Sequence, residues 1–380
     1  MSSAAPITSL RRYCTTMASI RSPWLLVALA AMLLAVAATA ATARAFDKGF
    51  WGPITYKGQS QFPVYSDLGV SVFQMQLHWN EIAPDARPTN PSDPADPAYR
   101  WPPEVDQAIA QAQADGMSVA LMIIGAPEWA NGLHEFRWAP KDPEDYGAFA
   151  LAAARRYPTV RRWQVWGEAT RFENFQPLRP QTPGSIKLSP SAARAPKTYA
   201  RLLDAAYVAL KAASRSNVVI GGATVTGGSV NPYAWATYLK LPNGKRPRFD
   251  QWSHNPFSAR RPSFSNPPSP RRYVDFSDLK RYSGFLDDQF DRHVKIFLSE
   301  WTIPTDREDQ EFNFWVSQDT QATWIASALR ISRKFPRITG LGWIHLYDDP
   351  PSPSGQPVIQ SGLIQADGTH KPGYDAFKNG

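Results

Sequence analysis

The sequence is nearly devoid of cysteine: its single thiol, Cys14, lies close to the N-terminus. The rest of the chain can therefore form no disulfide, no thiolate metal site and no thiol nucleophile. Acidic residues are missing altogether from residues 1–45, whereas Arg11, Arg12, Arg21 and Arg44 are present there. Behind these basic residues runs WLLVALAAMLLAVAATAATA, Trp24 to Ala43, and Ala43-Arg44-Ala45 then offers small residues at the spacing of a signal-peptidase site. The expectation is a signal peptide cleaved before Phe46. The alternative is a membrane anchor at residues 24–43, since the run approaches the ~20 residues that span a bilayer. Either reading predicts a secreted or cell-envelope protein. Because Cys14 precedes the apolar run, it is not placed to be a lipid anchor.

Other absences narrow the chemistry. The six histidines are scattered, with no H-x-H or H-E-x-x-H, so no metal is expected. No G-x-S-x-G elbow supports a serine nucleophile. No Gly-rich phosphate loop follows the first strand pattern, which argues against a dinucleotide cofactor; no cofactor is expected. The net charge of +8 drops to +4 without the four leader arginines, and SARRPSFSNPPSPRR (Ser258 to Arg272) holds four arginines of its own. So local an excess is no nucleic-acid footprint, although it raises the question of an acidic glycan.

What is present is an alternation. Apolar runs at 50–56, 71–79, 117–125, 160–168, 217–225, 249–257, 294–301 and 338–348 read as strands. Most are separated by helical patterns, such as PPEVDQAIAQAQADG (102–116), with Pro near its start and Gly at its end. Only YSDLG is read between the first two strands. Eight strands alternating with helices predict a single-domain (β/α)8 TIM barrel over residues 46–380.

In such a barrel the active site is built at the C-terminal ends of the strands. Polar residues there are His78 and Asn80 (second strand), Glu128 (third), Glu168 (fourth), His254 and Asn255 (sixth), Glu300 (seventh), and Asp348 and Asp349 (eighth). Glu168 and Glu300 each terminate an apolar or aromatic run, WQVWGE and IFLSE. The fourth and seventh strands face each other across a barrel, and two opposed carboxylates are what glycoside hydrolysis requires. Trp79, Trp129, Trp166, Trp301 and Trp343 fall near strand ends, where indole rings can stack on sugar faces.

WQVWGEATR, IFLSEW and GLIQADGTHKPGYDAF resemble the clan A retaining (β/α)8 glycoside hydrolases, the cellulase and β-xylosidase group. LHWNEIAP and APEWANG resemble their counterparts after strands two and three. The resemblance implies an enzyme that cleaves a polysaccharide or glycoside, with Glu168 as acid/base and Glu300 as nucleophile. Three positions depart from the family pattern. Gly167 stands where an Asn precedes the acid/base, Phe257 replaces a tyrosine after strand six, and Gln74 and Gln76 occupy the region of a strand-two arginine. His78, Asn80 and Asn255 are candidate replacements for the missing Asn, and His254 for the missing hydroxyl. Two alternatives remain open at this point, a carbohydrate-binding barrel without turnover and a transglycosylase of envelope polysaccharide.

Overall fold

Eight parallel strands close on themselves in the computed structural model, which describes residues 46–380. The leader, with its signal or anchor reading, lies outside the described residues. The strands are β1 (Asp47–Trp51), β2 (Val72–His78), β3 (Ser118–Ile124), β4 (Arg162–Val165), β5 (Val218–Val225), β6 (Gln251–Asn255), β7 (Lys295–Trp301) and β8 (Ile338–Ile344). Each pairs with its sequence neighbours, and β1 pairs with β8 to complete the ring. The expected TIM barrel is thus the fold, and all eight strand assignments hold.

Helices α1 (Phe62–Asp67), α2 (Pro103–Ala114), α3 (Pro143–Arg156), α4 (Arg194–Ala213), α5 (Pro232–Tyr238), α6 (Leu279–Phe290), α7 (Gln318–Lys334) and α8 (Pro372–Asn379) lie along the chain between and after the strands. Their starts follow ordinary capping chemistry. Asp142 accepts from Glu144 N at α3, and Ser317 from Thr320 N at α7. Among the described residues no helix is long and apolar enough to cross a membrane.

Several strands are shorter than in the sequence reading, and two of these differences bear on the site. The first strand stops at Trp51, because Gly52-Pro53 follows, and a small hairpin (Thr55–Tyr56 with Gln59–Ser60) and α1 fill the space before β2. β4 ends at Val165, three residues before Glu168. Trp166 and Glu168 adopt positive φ (63° and 38°), so the chain turns sharply to present the carboxylate.

Alternation along the strands sorts side chains into two populations. The barrel interior is unusually polar. Arg162 pairs with Asp47 (2.5 Å), Thr339 Oγ1 donates to Gln251 Oε1, and Gln74 Nε2 donates to the Ser299 carbonyl (3.0 Å). Gly342 is required beside this last contact, since a Cβ would lie 2.1 Å from the Ser299 carbonyl oxygen. The large apolar rings occupy the layer between strands and helices, as with Trp343 against Phe377 of α8.

Candidate active site

The site begins with an amide that can be turned only one way. Asn255, at the end of β6, accepts at Oδ1 from the Glu300 backbone N–H (3.1 Å) and from Ser299 Oγ (2.7 Å). A backbone N–H only donates, so the other end must be the NH2 group. That nitrogen donates to Glu168 Oε1 (3.0 Å) and to Glu300 Oε2 (3.1 Å). The two N–H bonds of a planar amide diverge by about 120°, which puts the two carboxylate oxygens about 5 Å apart. No geometry consistent with those lengths separates them by more than their sum, about 6 Å. With its proton committed to Asn255, Ser299 Oγ accepts from Ser253 Oγ (2.8 Å). A relay of hydrogen bonds therefore runs from inside the barrel to the carboxylate pair.

Glu168 is buried and carries a second set of donors, Arg171 (3.0 Å) and, at 3.4 Å, Asn174. Glu300 is partly exposed at the floor of the cleft. Burial, then the charge of Glu168, then that of Glu311 push its carboxyl up to about 8, with Arg171 pulling the other way. At neutral pH the free protein therefore holds a proton on Glu300, and Arg171 lies 3.0 Å from the Glu168 carboxyl.

Two cavities meet here. One of about 730 Å³ is bordered by Glu168, Arg171, Glu173, Glu300 and Glu311, with Phe257 and Phe312 among its apolar walls. The other, about 480 Å³, is bordered by Glu300 but not by Glu168. Asp309 fixes the Glu311 and Phe312 backbone by accepting from both N–H groups (2.8 and 3.2 Å). Among the described residues no group of three or more His, Cys, Asp or Glu is arranged to hold a metal ion.

The other sequence candidates are placed differently. Trp79, Trp166, Trp301 and Trp343 are all buried outside the barrel wall: Trp79 and Trp343 alternate with inward positions, Trp166 is turned outward at a positive φ just beyond β4, and Trp301 at a register shift between β7 and β8. Trp79 packs on Trp129, Tyr146 and Phe149, while Trp301 packs on Trp343 and Phe276. The half-buried Trp129 spends its indole N–H on the Ala83 carbonyl (2.8 Å). None of these five indoles borders either cavity. His254 also faces outward, held between Thr224 Oγ1 and the Val274 carbonyl, and burial lowers its pKa to about 4. It cannot orient Glu300. His78 lies beside Glu81 (3.7 Å), and Asn80 Oδ1 is buried without a partner among the described residues; neither borders either of these cavities. Of the candidate replacements, only Asn255 reaches the glutamates. Gly167 is explained by Met122, whose Sδ would lie 2.7 Å from an added Cβ.

Sequence reasoning missed Trp51, Tyr56, Arg171, Glu311 and Tyr347 as cleft residues. Trp51 was legible in principle, being two residues beyond the inward-facing Gly49; Tyr56 sits on a two-residue hairpin strand and the rest on loops, where no periodicity points.

No family model matches the chain, and no curated protein matches it. Solved structures do. A family 39 glycoside hydrolase from Bacteroides cellulosilyticus WH2 is 18% identical, with 89% of this chain and 63% of that one covered and a TM-score of 0.59. A glucosidase from Croceicoccus marinus is 16% identical (88% and 67% covered, TM-score 0.60). A family 39 β-xylosidase from Caulobacter crescentus is 18% identical (89% and 71% covered, TM-score 0.57). The chain thus spans under two thirds of the length of the first of these. At such identities the likeness is one of architecture: this chain has the (β/α)8 fold of these glycoside hydrolases.

Proposed function

We propose that the protein is an exported retaining glycoside hydrolase. The observation that carries this reading is the Glu168–Asn255–Glu300 bridge. Its separation of about 5 Å matches the roughly 5–5.5 Å of retaining enzymes and falls short of the roughly 6.5–9.5 Å that leaves room for an attacking water. Export is supported by the sequence of residues 1–45.

In the first step a Glu300 oxygen forms a bond to the anomeric carbon as the bond to the glycosidic oxygen breaks. Glu168 gives its proton to that departing oxygen. In the second step Glu168 takes a proton from water, whose oxygen attacks the same carbon and releases Glu300. The cycle needs the charge on Glu300, whose carboxyl is pushed up by burial, Glu168 and Glu311; substrate binding must therefore favour its ionised form, which the Asn255 NH2 group already stabilises.

The test is a glycan-panel assay of the protein beside Glu168→Gln and Glu300→Gln. The expected loss is roughly a hundredfold or more in kcat/KM for each, together with a covalent adduct on Glu300 from a 2-fluoro-glycoside. Full activity in both variants would place the chemistry elsewhere.

A further inference from the structure

The smaller cavity has the makings of a sugar site beyond the scissile bond. Trp51 projects into it from the end of β1, and its indole N–H is fixed to the Ser299 carbonyl (2.9 Å). With that donor committed, Trp51 has a ring face to offer. Tyr56 and Tyr347 stack on each other at the cavity wall, centroids 3.9 Å apart and planes 18° apart. The Tyr347 hydroxyl is anchored to Gln61 Oε1 (2.6 Å). The pair is thus held rigidly from below, with the hairpin that carries Tyr56 as its outer part. Gln76, an inward position of β2, is exposed in the same cavity, and its amide makes no bond among the described residues. Fixed aromatic surface beside a free amide is the pattern of a carbohydrate subsite, where rings cover apolar sugar faces and amides take hydroxyl groups.

The direction of the sugar chain follows from which glutamate borders which cavity. The acid must stand beside the departing oxygen, and Glu168 borders only the larger cavity. The leaving portion therefore lies there. Glu300, which meets the anomeric carbon, borders both cavities, so the retained portion extends from Glu300 into the smaller one. Resting on the catalytic reading above for this orientation, we propose that the cavity of Trp51, Tyr56, Gln76 and Tyr347 binds a second retained sugar. The protein then acts on oligosaccharide or polysaccharide chains in preference to single terminal sugars.

Nitrophenyl β-glucosides and β-xylosides with one, two and three sugars provide the test. The expected result is a rise in kcat/KM of about tenfold or more from one sugar to two, equivalent to about 1.4 kcal/mol. Tyr56→Ala and Gln76→Ala should each shrink that ratio towards one, and Tyr56→Phe should restore it. Equal turnover of one- and two-sugar substrates would overturn the subsite while leaving the catalytic reading intact. So would a Tyr56→Ala variant depressed alike on both. If no substrate is turned over, tryptophan-fluorescence titration with the matching free oligosaccharides decides between the remaining cases. Length-dependent binding weakened by Tyr56→Ala would uphold the subsite and end the catalytic reading; binding without length dependence, or none, would end both.

Discussion

Asn255 and Glu311 act on Glu300 with opposite signs, which makes the pair separable by pH. The Asn255 NH2 group stabilises the ionised carboxylate, so Asn255→Ala should raise the Glu300 pKa and move the acid limb of kcat/KM to higher pH. Glu311 repels that charge, so Glu311→Gln should lower the pKa and move the limb to lower pH. Equal shifts in one direction would refute this assignment. Glu300 also links pH to stability. Its unfolded value is about 4.5 and its folded value about 8. Between these the folded protein keeps a proton that the unfolded chain has lost, so stability falls as pH rises through the window. Glu300→Gln escapes that loss. Its Tm should match the parent near pH 4 and exceed it by several degrees at pH 8, as thermal melts across the range would show. In the sequence the two glutamates were visible because each ended an apolar run. Asn255 was visible only as one polar residue among several, since nothing in WSHNPF tells that Asn255 faces inward and His254 outward.

The loop after β7 is the element that completes the cleft, and a buried lysine ties it down. Lys371, the lysine of the C-terminal GLIQADGTHKP stretch, donates to Thr305 Oγ1 (2.9 Å), Asp348 Oδ1 (2.7 Å) and the Gln360 carbonyl (3.1 Å). Burial pushes the lysine pKa down and the aspartate up, each against the pull of its partner, so the pair is a costly way to gain stability. What it supplies is position. Asp309, on the same loop, accepts from Gln360 N (2.7 Å) and sets the Glu311 and Phe312 backbone. Lys371→Met would strand the Asp348 carboxylate and should cost about 3–5 kcal/mol in denaturant unfolding. Asp309→Ala should cost about 1–3 kcal/mol and lower kcat/KM by releasing the cleft wall. An Asp309→Ala enzyme with unaltered kinetics would show that the wall is irrelevant to substrate. The sequence identified the lysine motif by resemblance alone; its role depends on contacts between positions 11 to 66 residues apart, which no local pattern encodes.

On the scale of the whole molecule, strand order was legible because eight buried strands leave eight apolar runs, whereas charge distribution was not. The arginines of 258–272 suggested an acidic glycan, but two of them serve the fold. Arg260 is bound to the buried Asp275 and to Ser269 and Ser277, and Arg261 lies against Ser327. The larger cleft has the opposite character, with Glu168, Glu173 and Glu311 facing Arg171, its single cation among the described residues. An anionic sugar entering there meets repulsion from partly buried carboxylates, which salt screens less than it screens surface charges. A protein whose formal charge is positive over residues 46–380 thus presents a negative cleft. Substrates whose leaving unit is a uronic acid should accordingly be hydrolysed at least about tenfold more slowly than their neutral counterparts, a difference of about 1.4 kcal/mol in the transition state. The gap should narrow between 0.01 and 1 M salt, as the Debye length falls from about 30 to 3 Å. Matched disaccharides with a glucose or a glucuronic acid leaving unit, assayed with Glu173→Gln and Glu311→Gln alongside, measure it directly. Each variant should improve the acidic substrate relative to the neutral one. Faster turnover of the acidic substrate by the parent protein would mean that Arg171 leaves Glu168 to bind the substrate carboxylate, and that this exchange outweighs the surrounding negative charge.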